Sequence, residues 1–93
     1  MTFTTIKDPE AVIDYTIDWA ATMAESSPSD TIATSAWTAD NGVVVDSDSE
    51  TTTTTTVWVS GGTRGKYSSV VNTVTTAAGR TYNRTISLLL QDK

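Results

Sequence analysis

The stretch Ile13-Asp14-Tyr15-Thr16-Ile17-Asp18-Trp19 decides the fold class. Its bulky apolar side chains fall on every second residue, with Asp14, Thr16 and Asp18 between them. Alternation of period two sets one face against a core and the other in water, the pattern of a half-buried β-strand. A helical reading competes with it. Asp8 suits an N-cap with Pro9 in the first turn, and Val12, Tyr15, Trp19 and Met23 fall at helical spacing. The β-branched and aromatic content of 13–19 weighs toward a strand, expected over residues 11–19.

Working outward, residues 2–6 read as a short first strand, rich in threonine, whose branched Cβ favours extended backbone. Asp8-Pro9-Glu10 ends it, because proline cannot donate to a ladder. Residues 20–25 suit a single helical turn, and Ser26-Ser27-Pro28-Ser29-Asp30 is loop chemistry. A strand is expected over 31–38, then a turn at Asp40-Asn41-Gly42, where Asn and Gly tolerate positive φ. Val43-Val44-Val45 reads as a short strand stopped by Asp46-Ser47-Asp48-Ser49. The next strand is expected over 50–60, including the threonine run 51–56, with Gly61-Gly62 as its turn. Residues 67–76 follow, placing Ser68, Val70, Asn72 and Val74 on one face. Ala77-Ala78-Gly79 turns the chain into 82–90, whose Ile86, Leu88 and Leu90 face the core. About seven short strands separated by turns predict an all-β, immunoglobulin-like antiparallel β-sandwich. Residues 1–93 are expected to form that one domain.

A chain of 93 residues supports one core. A domain of this size hides roughly 60–65 % of the surface that its unfolded form exposes. Cysteine and histidine are both absent, which removes thiolate nucleophiles, the commonest general base and the commonest transition-metal ligands. The formal charge is -5, and Lys7, Arg64, Lys66, Arg80, Arg84 and Lys93 are scattered along the chain. Without a concentrated positive patch, neither nucleic acid nor an anionic membrane surface is an expected partner. No apolar run approaches the roughly 18–20 residues that span a bilayer. Met1-Thr2-Phe3-Thr4-Thr5-Ile6 has neither a basic n-region nor an apolar h-region, so no secretion signal is expected there.

Few residues invite a chemical role. Asp46, Asp48 and Glu50 stand at the spacing that opens a calcium loop, but Thr51 occupies its glycine position and the bidentate glutamate at position twelve is missing. A solvated turn is the expectation. Asp14 and Asp18 on one strand face lie ~13 Å apart at Cα, too far for an acid–base pair. Trp19 continues an apolar face and belongs to the core, and Trp37 suits the buried tryptophan of such sandwiches. Trp58 points away from Val57 and Val59, so it is either an interface anchor or a cover lying flat over neighbouring threonines. The threonine run is read as an internal strand with a wet face, or else as an exposed edge open to β-augmentation. The candidate protein interface comprises Trp58, Thr52, Thr54, Thr56, Arg64 and Tyr82.

In order along the chain come Lys7-Asp8-Pro9-Glu10, Asp14-Tyr15-Thr16-Ile17-Asp18-Trp19, Trp37-Thr38 and Val45-Asp46-Ser47-Asp48-Ser49. Val57-Trp58-Val59-Ser60-Gly61-Gly62-Thr63, Gly65, Ala78-Gly79-Arg80-Thr81 and Arg84 follow. This ordered set resembles the small fiber-tail adaptors of bacteriophages, immunoglobulin-like proteins of the virion. The resemblance implies a strand in place of a helix within Asp8–Trp19, and a protein of the phage tail, made in the bacterial host cytoplasm and lacking enzymatic activity. It also implies protein–protein contacts joining receptor-binding fibers to the tail, in several copies per particle. Neither a cofactor nor a small-molecule substrate is expected. The six consecutive threonines depart from the family's more varied pattern. The rival reading is a free immunoglobulin-like module binding carbohydrate or cell surfaces, with Trp58 and Tyr82 as stacking platforms.

Overall fold

The computed structural model describes residues 2–25 and 30–91, with backbone alone for 2 and 3. Seven strands and one short helix follow in order: β1 (Thr2–Lys7), β2 (Ile13–Asp18), α1 (Ala20–Ala24), β3 (Ile32–Thr38), β4 (Val43–Glu50), β5 (Thr54–Gly61), β6 (Tyr67–Thr76) and β7 (Thr81–Leu90). The loop expected over 26–29 lies outside the described residues.

The strands form two sheets, ordered β1-β7-β6-β3 and β2-β5-β4, packed as a sandwich. In immunoglobulin lettering, β2-β5-β4 follow the order B-E-D and β7-β6-β3 the order G-F-C. The first strand differs from a constant-type domain, because it pairs with β7 and runs parallel to it. All the other pairings are antiparallel. Strand β2 pairs Ile13 with Val59 and Ile17 with Thr55, so the alternation in 13–19 does mark a strand with its apolar face inward.

The core joins Ile17, Val43, Val57 and Val59 of one sheet to Val70, Val74, Ile86, Leu88 and Leu90 of the other. Trp19, only 2 % exposed, and Met23 of α1 close one end. Trp19 therefore occupies the deep place expected for Trp37. The latter lies on the edge strand β3 and is half-buried against the core, its buried indole Nε1 having no hydrogen-bond partner.

A polar network runs through this apolar interior. Asn72 is fully buried on β6, and its Oδ1 accepts from Trp19 Nε1 at 3.1 Å and from the Thr55 hydroxyl at 2.7 Å. Its Nδ2 donates to Ser35 Oγ at 2.9 Å and to the Ala36 carbonyl at 3.0 Å. One carboxamide thus connects β5 of one sheet with β6 and β3 of the other. Arg84 covers Trp19 from outside, its guanidinium 4.4 Å from the ring centroid, and donates to the Asp18 carbonyl and to Thr22 Oγ1.

Each end of the sandwich is tied by a charged side chain. At one end Lys7 is fully buried, and its Nζ donates to the carbonyls of Asp8 at 3.0 Å and Gly61 at 2.7 Å, bridging the sheets. Burial lowers its pKa, partly offset by the nearby charges of Asp8 and Asp46. Gly62, beside this tie, has φ +123, and a Cβ there would come within 2.6 Å of Leu90 Cδ2.

At the other end Asp30 accepts from the amides of Thr31 at 2.9 Å and Ala78 at 3.2 Å, and pairs with Arg80 at 3.0 Å. Hydrogen bonding to the Thr76 side chain, with further help from Thr31, Arg80 and Ala78, outweighs burial and holds its pKa at about 2. A depressed carboxyl pKa contributes stability that is complete above the unfolded value of ~4 and is lost as pH falls through the folded one. Urea midpoints should therefore fall as pH drops from ~4 toward 2. Asp30→Asn should be less stable than the parent at neutral pH and show a flatter profile across that window. Parallel profiles for the two proteins would show that Asp30 is not the group responsible.

Two expectations require correction. The segment Asp46-Ser47-Asp48-Ser49 does not stop a strand: β4 continues to Glu50, with a bulge between Val45 and Ser47. A bulged edge strand tolerates poor strand formers because one side and one face are solvated. The threonine run is likewise divided. Thr51 Oγ1 accepts from the Thr54 amide at 3.0 Å and exchanges a hydroxyl contact with it at 2.7 Å, making 51–53 the turn between β4 and β5. Only Thr54 onward is strand, and β5 lies in the middle of its sheet.

Candidate protein interface

The outward face of the β2-β5-β4 sheet is set by parity. Thr55, Val57 and Val59 point inward on β5, so Thr54, Thr56, Trp58 and Ser60 point out. Trp58 is 44 % exposed. Its cross-strand neighbours are Asp14 on β2 and Ser47 on β4, short side chains that leave the indole open. Thr56 shares a hydroxyl–hydroxyl hydrogen bond of 3.0 Å with Thr16, which lies opposite it.

Sequence reasoning missed two apolar residues near Trp58. Val44, 54 % exposed, lies opposite Ser60, and Val12, 61 % exposed, immediately precedes β2. Extending the outward parity of Asp14, Thr16 and Asp18 one step backward reaches Val12, so that signal was present. Isolated exposed valines are ordinary, but three large apolar side chains on one sheet face suit a contact surface.

The other candidates are dispersed. Thr52 is exposed in the β4–β5 turn, and its carbonyl accepts from the Ile32 amide at 2.9 Å. Arg64 is exposed in the β5–β6 loop, at the opposite end of β5. Tyr82 is half-buried on β7, its ring centroid 6.4 Å from that of Trp19. Trp58 and Tyr82 thus belong to different sheets and do not form one stacking platform. The carboxylates of Asp46, Asp48 and Glu50 are strung along an exposed edge strand, and no metal-holding group of acidic residues occurs among the described residues. No pocket is found among the described residues either.

These features define a small structural β-sandwich with an exposed aromatic residue on the outward face of its three-stranded sheet. The chain belongs to a podophage family: the model described as podophage GP4 fiber-tail adaptor protein gp77 matches residues 7–89, nearly the whole chain. None of the curated proteins compared with the chain matches it. Family membership implies a virion component in contact with phage tail and fiber proteins. Several residues that carry the resemblance are those that hold the fold. Lys7 bridges the sheets, Trp19 fills the core, Arg80 binds Asp30 and Arg84 covers Trp19.

Proposed function

We propose that the chain joins receptor-binding fibers to the phage tail, in several copies per particle and by protein–protein contacts alone. The observation that carries this is Trp58, an exposed tryptophan at the centre of a sheet face that nothing in the fold requires it to cover. Thr54 and Thr56 extend that face, whereas Thr52 and Arg64 supply contacts from the loops at the two ends. Tyr82, held against Trp19, contributes only its exposed edge. Rigid sandwiches suit this work because loops at both ends and sheet faces at the sides present separate surfaces.

The test is made on purified particles of the phage or prophage that encodes the chain. Quantitative mass spectrometry should find it at a fixed ratio to the major tail protein. Trp58→Ala should leave the melting temperature within ~2 °C of the parent, as a surface substitution does. As an interface anchor it should reduce incorporation by roughly thirtyfold or more. Absence of the protein from intact particles would overturn the adaptor reading and leave the free binding module, which a glycan array would then examine. Full incorporation of Trp58→Ala would remove this face from the contact.

A further inference from the structure

The two sheets divide their charge unevenly. Strands β2, β4 and β5 carry Asp14, Asp18, Asp46, Asp48 and Glu50, five of the 11 acidic residues, and no lysine or arginine. Strands β1, β3, β6 and β7 carry no carboxylate. Their two cations, Lys7 and Arg84, are engaged within the fold through the Gly61 carbonyl and through Trp19. All five carboxylates of the smaller sheet are exposed, and the register divides them: Asp14, Asp18 and Asp46 lie on the outward face, whereas Asp48 and Glu50, opposite the inward-pointing Val57 and Thr55, line the free β4 edge. Trp58 lies on that outward face, with Asp14 opposite on β2 and Ser47 opposite on β4, the latter preceded by Asp46.

We infer that this acidic face, together with its β4 edge, docks onto a basic surface of another virion protein, with lysine or arginine side chains around an apolar recess that receives Trp58. This rests on the adaptor reading and specifies the chemistry of the partner. Arginine suits the role best, since it pairs with carboxylates and stacks on indole. A second copy of the chain is a poor occupant. Face-to-face pairing would bring two sets of three carboxylates together, and joining β4 of one copy to β2 of the next would set Asp46, Asp48 and Glu50 against Asp14 and Asp18. Nucleic acid is repelled by the same charges. The alternative is that the carboxylates only blunt exposed sheet edges against aggregation, which requires no partner at all.

Asp14→Asn, Asp48→Asn and Glu50→Gln combined would separate the two. The parent and this variant are packaged into particles, washed at ~0.05 M salt so that the parent's charge pairs stay largely unscreened, and counted by mass spectrometry. An unchanged melting temperature for the free variant shows that the fold is intact. About tenfold lower retention of the variant is expected, because charge pairs that the parent keeps across the interface are lost. Equal retention overturns the inference while leaving the adaptor reading standing; absence of the parent protein from particles overturns the adaptor reading itself. Carbodiimide treatment of intact parent particles supplies a second readout, independent of folding in the variant, by condensing carboxylates with lysine amines in direct contact. Cross-links from this face that lead only to Lys66 of a neighbouring copy would also overturn the inference.

Discussion

Asn72→Ala should lower the melting temperature by ~10–25 °C, from a loss of about 2–3 kcal/mol spread over the entropy of unfolding of a domain this size. The side chain is fully buried and satisfies four partners, two of which donate to its Oδ1 and two accept from its Nδ2. Alanine leaves a void and removes the acceptor of the Thr55 hydroxyl in the same step. Trp19 Nε1 retains a bond of 3.1 Å to Thr55 Oγ1, so the indole is not stranded, which limits the loss. Asn72 and Thr55 act through one hydrogen bond, so their effects should not add. Thr55→Val should be destabilising in both backgrounds, since it takes one donor from Asn72 Oδ1 in the parent and strands the buried Trp19 N–H beside Asn72→Ala, so the double variant should depart from the sum of the singles. Urea denaturation of the four proteins closes the cycle. Strict additivity would mean that the two side chains contribute separately and that the network is not a cooperative unit.

How much of this was legible in the sequence differs from residue to residue. The strand at 13–18 could be read because its inward and outward positions differ sharply in polarity, and β6 and β7 for the same reason. The alternation in β6 places Asn72 on one face with Val70 and Val74, yet nothing in the sequence identifies its partners. Thr55 lies 17 positions away and Trp19 lies 53 positions away. The β4–β5 turn was hidden for a different reason. Six identical residues carry no parity, so a strand and a turn look the same until the Thr51–Thr54 bonds locate the reversal. Strand β4 was cut short because serine and aspartate are poor strand formers, and the bulge that accommodates them leaves no mark in composition. Charged residues were the least legible. Lys7, Asp30 and Arg84 would ordinarily be assigned to the surface, and each instead reaches backbone or aromatic groups far away in sequence. The acidic face and edge required topology, since the five carboxylates come from two separate edge strands that β5 brings into one sheet.

Trp19→Ala should cost more than any other single truncation, about 3–5 kcal/mol, or ~15–35 °C in melting temperature. The ring is 2 % exposed and sits where β2 ends and α1 begins, so its removal opens the core beneath Met23 and Tyr82. It also deprives Arg84 of the face on which the guanidinium rests at 4.4 Å, and leaves Asn72 Oδ1 with one donor instead of two. Trp19→Phe separates these losses. Phenylalanine keeps an aromatic face and most of the volume but lacks the N–H, so it should recover more than half of the stability. A cycle with Arg84→Met isolates the cation–π contact, expected at ~0.5–2 kcal/mol for a partly desolvated pair. The Arg84 guanidinium also donates to the Asp18 carbonyl and Thr22 Oγ1, so Arg84→Met should loosen α1 even where Trp19 is intact. Hydrogen exchange at the amides of Met23 and Glu25, which bond to the carbonyls of Trp19 and Ala21, reports that loosening directly. Rapid exchange there in Arg84→Met, with the β6 and β7 amides still protected, would locate the effect at the corner. If protection fell equally everywhere, Arg84 would instead be part of the global core, and the corner would have no stability of its own.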